Sequence, residues 1–257
     1  MIIIPARLAS TRFPNKILTN IAGEPMLIKT AKNASKVDEV CIACDEEEVL
    51  ELCKRAGFNA IITSKHHQSG TDRCNECVQK LGLKNNEIII NIQADEPFLE
   101  SSVIQSLKNL MQNGGTNKQP PFMASCAKVI SEQEATNPNL VKVVLNAKNE
   151  AIYFSRSVIP FWRDKHISKS QHLQDNATSA PTYYGHLGMY GYSVESLREF
   201  CTMPKQIDSS PLEHIEKLEQ LRAIYQGKVI QMAIVQSESI GIDTKEDLDR
   251  ALTKFCK

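Results

Sequence analysis

The run Glu87-Ile88-Ile89-Ile90-Asn91-Ile92 decides the fold. Its apolar residues do not alternate with polar ones, so the strand it predicts is covered on both faces. Strands of that kind belong to parallel sheets packed between two layers of helices. The neighbouring segments agree. Strands are expected over residues 2–4, where an isoleucine run stops at Pro5, and over 39–44 and 60–63. Helical patterns over 26–33, 46–55 and 72–81 alternate with them, the last two stopped by Gly57 and Gly82, and a further helix is expected over 103–111. Strand–helix alternation predicts an α/β domain with a mainly parallel, doubly wound sheet.

Residues 113–121 read as a loop by composition, and the character of the chain changes beyond them. Strands are expected over 123–129, 141–145 and 151–154, the last two forming a hairpin around 146–149. The stretch 165–182 is polar and rich in His, Gln and Ser. A strand over 188–192, a helix over 211–226 stopped by Gly227, a strand over 229–235 and a closing helix over 245–255 follow. The expectation is one domain over 1–257, with a β-rich lobe at about 130–192 inside it.

Bulk properties narrow the function. Lys plus Arg and Asp plus Glu both total 30, which argues against a protein that coats nucleic acid or anionic membrane. No apolar stretch approaches the ~20 residues that span a bilayer, and the N-terminus lacks the pattern of a signal peptide. The expected compartment is the cytoplasm. Two CxxC pairs, Cys41/Cys44 and Cys74/Cys77, raise the possibility of a zinc site. The first pair lies in an apolar strand, where residues three apart point to opposite faces, so buried reduced cysteine is the simpler reading.

The chemistry-bearing residues cluster after strands. The opening strand runs into a loop with Arg7, Ser10, Thr11, Arg12 and Lys16, and no acidic residue precedes Glu24. Fixed cations with hydroxyls between them suit a polyphosphate. The most apolar strand ends in Gln93-Ala94-Asp95-Glu96-Pro97. Asp95 emerges at the same sheet edge, where a carboxylate facing phosphate suggests a Mg²⁺ ligand; a turn-forming Asp is the bland reading. Asp243 follows a strand and precedes a helix. It reads as a second metal carboxylate, or as the start of a capping box with Glu246. In Ser69-Gly70-Thr71-Asp72-Arg73 the glycine permits close approach of a nucleotide, while Ser69 or Thr71 also suits a helix cap. Arg156, His186, Glu213, His214 and Gln220 form a polar set in the second half, suited either to an acidic sugar or to a solvated helix face beside the apolar stripe Leu212, Ile215, Leu218 and Leu221.

Taken together, IIPARLASTRFPNK (3–16), HHQSGTDR (66–73), IINIQADEP (89–97), NPNLVKVV (137–144), YFSRSVIP (153–160), HLGMYGY (186–192), SPLEHIEKLEQLR (210–222) and GIDTKEDL (241–248) resemble the 3-deoxy-D-manno-octulosonate (Kdo) cytidylyltransferases. The resemblance spans nearly the whole chain. It implies a Rossmann-like, doubly wound mixed sheet of the nucleotide-diphospho-sugar transferase type, with the β-rich lobe serving a homodimer. It also implies the reaction of CTP with Kdo to CMP-Kdo and pyrophosphate, Mg²⁺-dependent, for lipopolysaccharide biosynthesis. Carried over residue by residue, Arg7, Ser10, Arg12 and Lys16 hold the CTP phosphates, with Lys16 and Arg12 neutralising the leaving pyrophosphate. Ser69, Gly70 and Arg73 contact the cytidine. Asp95 and Asp243 hold the metal. Gln93, Arg156, His186, Glu213 and Gln220 line the sugar pocket. Two departures are Ala94 and Asn15, each at a position where the family usually has Gly. The loop over 113–121 is also longer than usual. The alternatives are a CMP-sialic acid-type synthetase acting on another acidic sugar, and a non-catalytic nucleotide-binding or zinc scaffold.

Overall fold

The computed structural model describes residues 1–9, 13–114, 120–163 and 181–256. The strands are β1 (Ile2–Ala6), β2 (Asn20–Ile21), β3 (Glu24–Pro25), β4 (Val40–Cys44), β5 (Asn59–Ile62), β6 (Ile88–Ile92), β7 (Met123–Ile130), β8 (Lys142–Leu145), β9 (Ala151–Ser155), β10 (Tyr183–Ser193) and β11 (Ile230–Val235). Among the described residues nine of them make one sheet, ordered β11-β7-β10-β6-β1-β4-β5, with β8 and β9 joined to it through β10. β1 lies between β4 and β6, parallel to both, and β4 is parallel to β5. β10 runs antiparallel between β6 and β7, so the sheet is mixed. Strand order reverses at β1, and the site lies beyond the C-terminal ends of β1 and β6, where open α/β sheets bind ligands.

The doubly covered reading of the isoleucine runs holds. Ile2 and Ile4 pack with Leu27 and Ala31 of α1 (Met26–Ala34), Val49 of α2 (Glu47–Arg55) and other buried residues. Ile3 and Ile89 face the other way, onto Cys74, Cys77 and Val78 of α3 (Gly70–Leu81) and onto Leu197 and Phe200 of the helix Val194–Thr202. Leu107 of α4 (Ser101–Asn113) completes the first face. β1 also continues through Pro5 to Ala6, beyond the expected stop. Its ladder to β6 ends at Ile3, so the missing N–H of Pro5 costs no bond on that side.

The helix expected over 211–226 is two short helices, Pro211–Glu216 and Leu221–Tyr225, with Lys217 left-handed between them (φ 55°). Arg156 explains the break. Its Nε donates to Glu216 O at 2.8 Å and its Nη2 to Lys217 O at 3.4 Å. The Glu216 carboxylate accepts from Ser155 Oγ at 2.6 Å and from Arg156 N at 3.0 Å. Carbonyls that a continuing helix needs are taken by Arg156, and the chain turns. Leu218 and Leu221 are buried while Ile215 is 77% exposed, so the apolar stripe is not one helical face. The β8–β9 hairpin forms as expected, with Asn149 left-handed (φ 56°) and Asn146 Oδ1 accepting from Lys148 N and Glu150 N. The β-rich segment is continuous with the main sheet, because β8 pairs with β10. Among the described residues no helix is long and apolar enough to cross a membrane.

Candidate active site

Three segments far apart in sequence meet at one sheet edge. Asn15 takes the left-handed conformation (φ 53°, ψ 26°) and starts a short 3₁₀ turn, Lys16–Leu18. Asparagine tolerates that conformation better than other non-glycine side chains. The turn sends Lys16 Nζ to Asp95 Oδ2 at 2.5 Å and Asp243 Oδ1 at 3.1 Å. Burial pulls the pKa of this ammonium down, but the two carboxylates outweigh it and hold it above its ordinary value. Ala94, the second departure, is buried, and its carbonyl accepts from Thr30 Oγ1 at 3.0 Å. The Asp95 carbonyl accepts from Ile242 N at 3.0 Å, so backbone ties Asp243 to the end of β6.

The capping box expected from Asp243 and Glu246 is instead Thr244 with Asp247, at the start of the helix Lys245–Phe255. Thr244 has the extended backbone of an N-cap, which places Asp243 one residue earlier and turns its carboxylate to Lys16. Glu96, next to Asp95, accepts from Ser239 Oγ at 3.1 Å. Burial, reinforced by the charge of Asp95, pushes Glu96 up to about 8. Gly241 allows this approach, because a Cβ there would lie 2.8 Å from Glu96 Oε1.

On the other side of β1, the start of α3 presses against the same edge. A Cβ on Gly70 would lie 3.0 Å from Pro5 Cγ and 3.4 Å from Gln93 Oε1. Ser69 caps the helix, accepting from Asp72 N at 3.1 Å. Arg73 is only 2% exposed. It donates to Asp45 Oδ2 at 2.8 Å and Thr63 Oγ1 at 2.6 Å, so it holds α3 from beneath. Arg7 is exposed at the end of β1. Ser10 and Arg12 lie outside the described residues, as does most of the polar stretch 165–182.

A cleft of about 840 Å³ opens beside Asp95 and Asp243 and is lined also by Gln93, His186, Gly188 and Lys128. His186 Nε2 lies 2.8 Å from Ser125 Oγ. Burial pulls its pKa down to about 3. The described residues that line the cleft do not include Arg156, Glu213 or Gln220. Arg156 clamps the carbonyls of Glu216, Lys217 and Pro138. Glu213 accepts from Ser210 Oγ at 2.8 Å and pairs with Arg222. Gln220, 2% exposed, accepts from Tyr190 OH at 3.0 Å, and the Tyr190 ring lies 5.5 Å from that of His186. Of the three, Gln220 alone reaches a lining residue, by way of Tyr190 and His186. Sequence reasoning missed Lys128, Arg250 and Lys254, which also line the cleft. The available signal was Lys128 itself, a lone cation inside the apolar run of β7.

The zinc reading fails on geometry. Cys41 packs with Cys74 and Cys77 on one face of the sheet, its Sγ 3.7 Å from that of Cys77. Cys44 faces the opposite layer. All eight cysteines are free thiols, and burial pushes Cys44 up to about 11. Among the described residues no group of three or more His, Cys, Asp or Glu is arranged around a metal.

Lys16, from the turn that follows the first strand, meets two carboxylates at one edge of a doubly wound sheet, an arrangement that suits a nucleotidyltransferase. The cytidylyltransferase family model matches residues 1–231. The 3-deoxy-manno-octulosonate cytidylyltransferase of Wolinella succinogenes is 53% identical over 256 residues, covering 99% of each chain. That of Helicobacter acinonychis is also 53% identical, over 99% of this chain and 97% of its own. The solved structure of a CMP:2-keto-3-deoxy-manno-octonic acid synthetase complexed with CTP superposes with a TM-score of 0.84 at 32% identity, over 99% of this chain and 97% of that one. The chain belongs to the 3-deoxy-manno-octulosonate cytidylyltransferase family.

Proposed function

We propose that this chain activates Kdo with CTP, releasing CMP-Kdo and pyrophosphate for lipopolysaccharide biosynthesis in the cytoplasm. The observation that carries the reading is that Asp95 and Asp243, which both line the cleft, converge on Lys16. In this reading Arg7 and Lys16, with Ser10 and Arg12 of the same loop, hold the phosphates of CTP. The start of α3, at Ser69 and Gly70, takes the cytidine, and buried Arg73 keeps that helix end in place. Gln93 and His186 meet the sugar, Gln220 backs His186 through Tyr190, and Arg156 and Glu213 brace the two short helices.

The anomeric hydroxyl oxygen of Kdo attacks the α-phosphorus in line. A new P–O bond forms, the bond from the α-phosphorus to the bridging oxygen breaks, pyrophosphate leaves with the electron pair, and the hydroxyl proton passes to water. Lys16 offsets the charge that develops on the leaving group. Asp95 and Asp243 fit a divalent cation: both are oxygen donors, and they already converge on one positive centre, the Lys16 ammonium. Mg²⁺ bound by them would supply charge neutralisation at the α-phosphate and a lower pKa for the attacking hydroxyl.

A homodimer belongs to the same reading. Among the described residues β9 has one strand partner, and Ile152 on it is 54% exposed, which suits a second copy. The direct test of the activity is mass spectrometry of the product formed from CTP and Kdo. CMP-Kdo is expected, and CDP or unreacted CTP would refute the reading.

A further inference from the structure

β10 carries His186 just before an irregularity. Its register against β7 passes from Leu187↔Cys126 to Tyr190↔Ser125, so Gly188 and Met189 are extra residues on the β10 side. A bulge releases carbonyls from the ladder and re-aims neighbouring side chains. Here two carbonyls turn onto one buried hydroxyl: Ser125 Oγ lies 2.7 Å from Met189 O and 3.3 Å from Leu187 O. Its third neighbour is His186 Nε2 at 2.8 Å.

A hydroxyl has one proton, and a carbonyl oxygen only accepts. The 2.7 Å contact between Ser125 Oγ and Met189 O therefore consumes the serine proton. The bond to the imidazole must run the other way, with Nε2–H donating and Ser125 Oγ accepting. Burial keeps the ring neutral, so Nδ1 carries no proton. His186 lines the cleft alongside Gln93 and Asp95.

We propose that Ser125 is a positioning residue that locks His186 as its Nε2–H tautomer, so that Nδ1 meets the acidic sugar as an acceptor and selects one of its hydroxyls rather than its carboxylate. The second half of this statement rests on the function proposed above. An acceptor-only nitrogen repels a carboxylate and accepts from a hydroxyl. The sugar's carboxylate then falls to the cations of the same cleft, of which Lys128 is the one on the strand that carries Ser125.

Nitrogen-15 NMR of histidine-labelled protein reads the tautomer without any substrate. The His186 signals are those lost in His186→Asn, whose Oδ1 stands near the place of Nδ1. Nε2 is expected protonated and Nδ1 unprotonated, with that pattern lost in Ser125→Ala. With CTP saturating, Ser125→Ala should raise KM for Kdo roughly tenfold, the worth of one hydrogen bond to an ordered partner, and leave kcat and KM for CTP within about twofold. Ser125→Thr, which keeps the hydroxyl, should restore both tautomer and KM. A protonated Nδ1 in the wild-type protein overturns the proposal, as does a Ser125→Ala variant with unchanged tautomer and unchanged KM. If the wild-type protein releases no pyrophosphate with Kdo, the proposed activity falls, and the NMR result still decides the Ser125–His186 pair.

Discussion

Lys16 Nζ stands 2.5 Å from Asp95 Oδ2, although 79 positions separate the two residues in the chain. The contact joins the cationic opening loop to the end of the most apolar strand, and the same ammonium reaches Asp243 at 3.1 Å. Asp95→Asn keeps the shape of the side chain and removes its charge. Turnover should fall by about 10²-fold or more, as for loss of one group that stabilises developing charge, with the thermal unfolding temperature little changed. Pyrophosphate release under saturating CTP measures this, and unchanged turnover would take Asp95 out of the metal-holding pair.

Arg73 should behave as a structural residue. Its guanidinium is buried against Asp45 Oδ2, and among the described residues Asp45 Oδ1 has no hydrogen-bond partner. Arg73→Ala leaves that carboxylate buried without its counter-charge, which costs about 3–5 kcal/mol. Urea unfolding should show the loss. A variant of wild-type stability with weakened CTP binding would instead place Arg73 in direct contact with nucleotide.

His186 gives a pH signature. Its pKa is pulled down to about 3 in the folded protein by burial, from an ordinary 6.5. Between those values only the unfolded chain takes up the proton. The stability that His186 contributes is therefore complete above pH 6.5 and is lost as pH falls toward 3. From pH 7 to pH 5 the loss from this one group amounts to about 2 kcal/mol. His186→Gln should remove that share, so wild type and variant should draw closer in urea stability at pH 5 than at pH 7. A constant gap would mean that His186 titrates normally.

Asn15 tests the strain in the opening loop. Its φ of 53° suits Asn or Gly and penalises other side chains. Asn15→Gly should leave stability nearly unchanged, while Asn15→Ala should cost about 1 kcal/mol. Equal stabilities of the two variants in urea would show that the left-handed turn is not what Asn15 supplies.

The fold was legible because its strands state their environment. Ile88 to Ile90 and Ile2 to Ile4 are apolar without alternation, and both runs are covered on two sides. The break at Lys217 was not legible, since the local pattern over 211–226 favours a helix. What ends it is Arg156, some sixty positions upstream, taking the Glu216 and Lys217 carbonyls. The same limit applied at the site. Lys16, Asp95 and Asp243 could be chosen because each follows a strand, and sheet topology brings strand ends together. Which polar side chains face the cleft depends on packing between distant segments, so Gln220 turned out buried under Tyr190 while Lys128 lines the wall. The shift of the cap from Asp243 to Thr244 is a one-residue difference in backbone conformation that composition alone does not distinguish.

In the proposed function this cleft joins a cytidine nucleotide to one acidic sugar. The most direct test is pyrophosphate release by the purified protein with CTP and Mg²⁺, comparing Kdo with sialic acid and other sugar acids. Rapid release with Kdo, abolished by omitting the metal and far slower with the other acids, is the predicted result. Release with sialic acid but not with Kdo, or with no sugar acid at all, would contradict it.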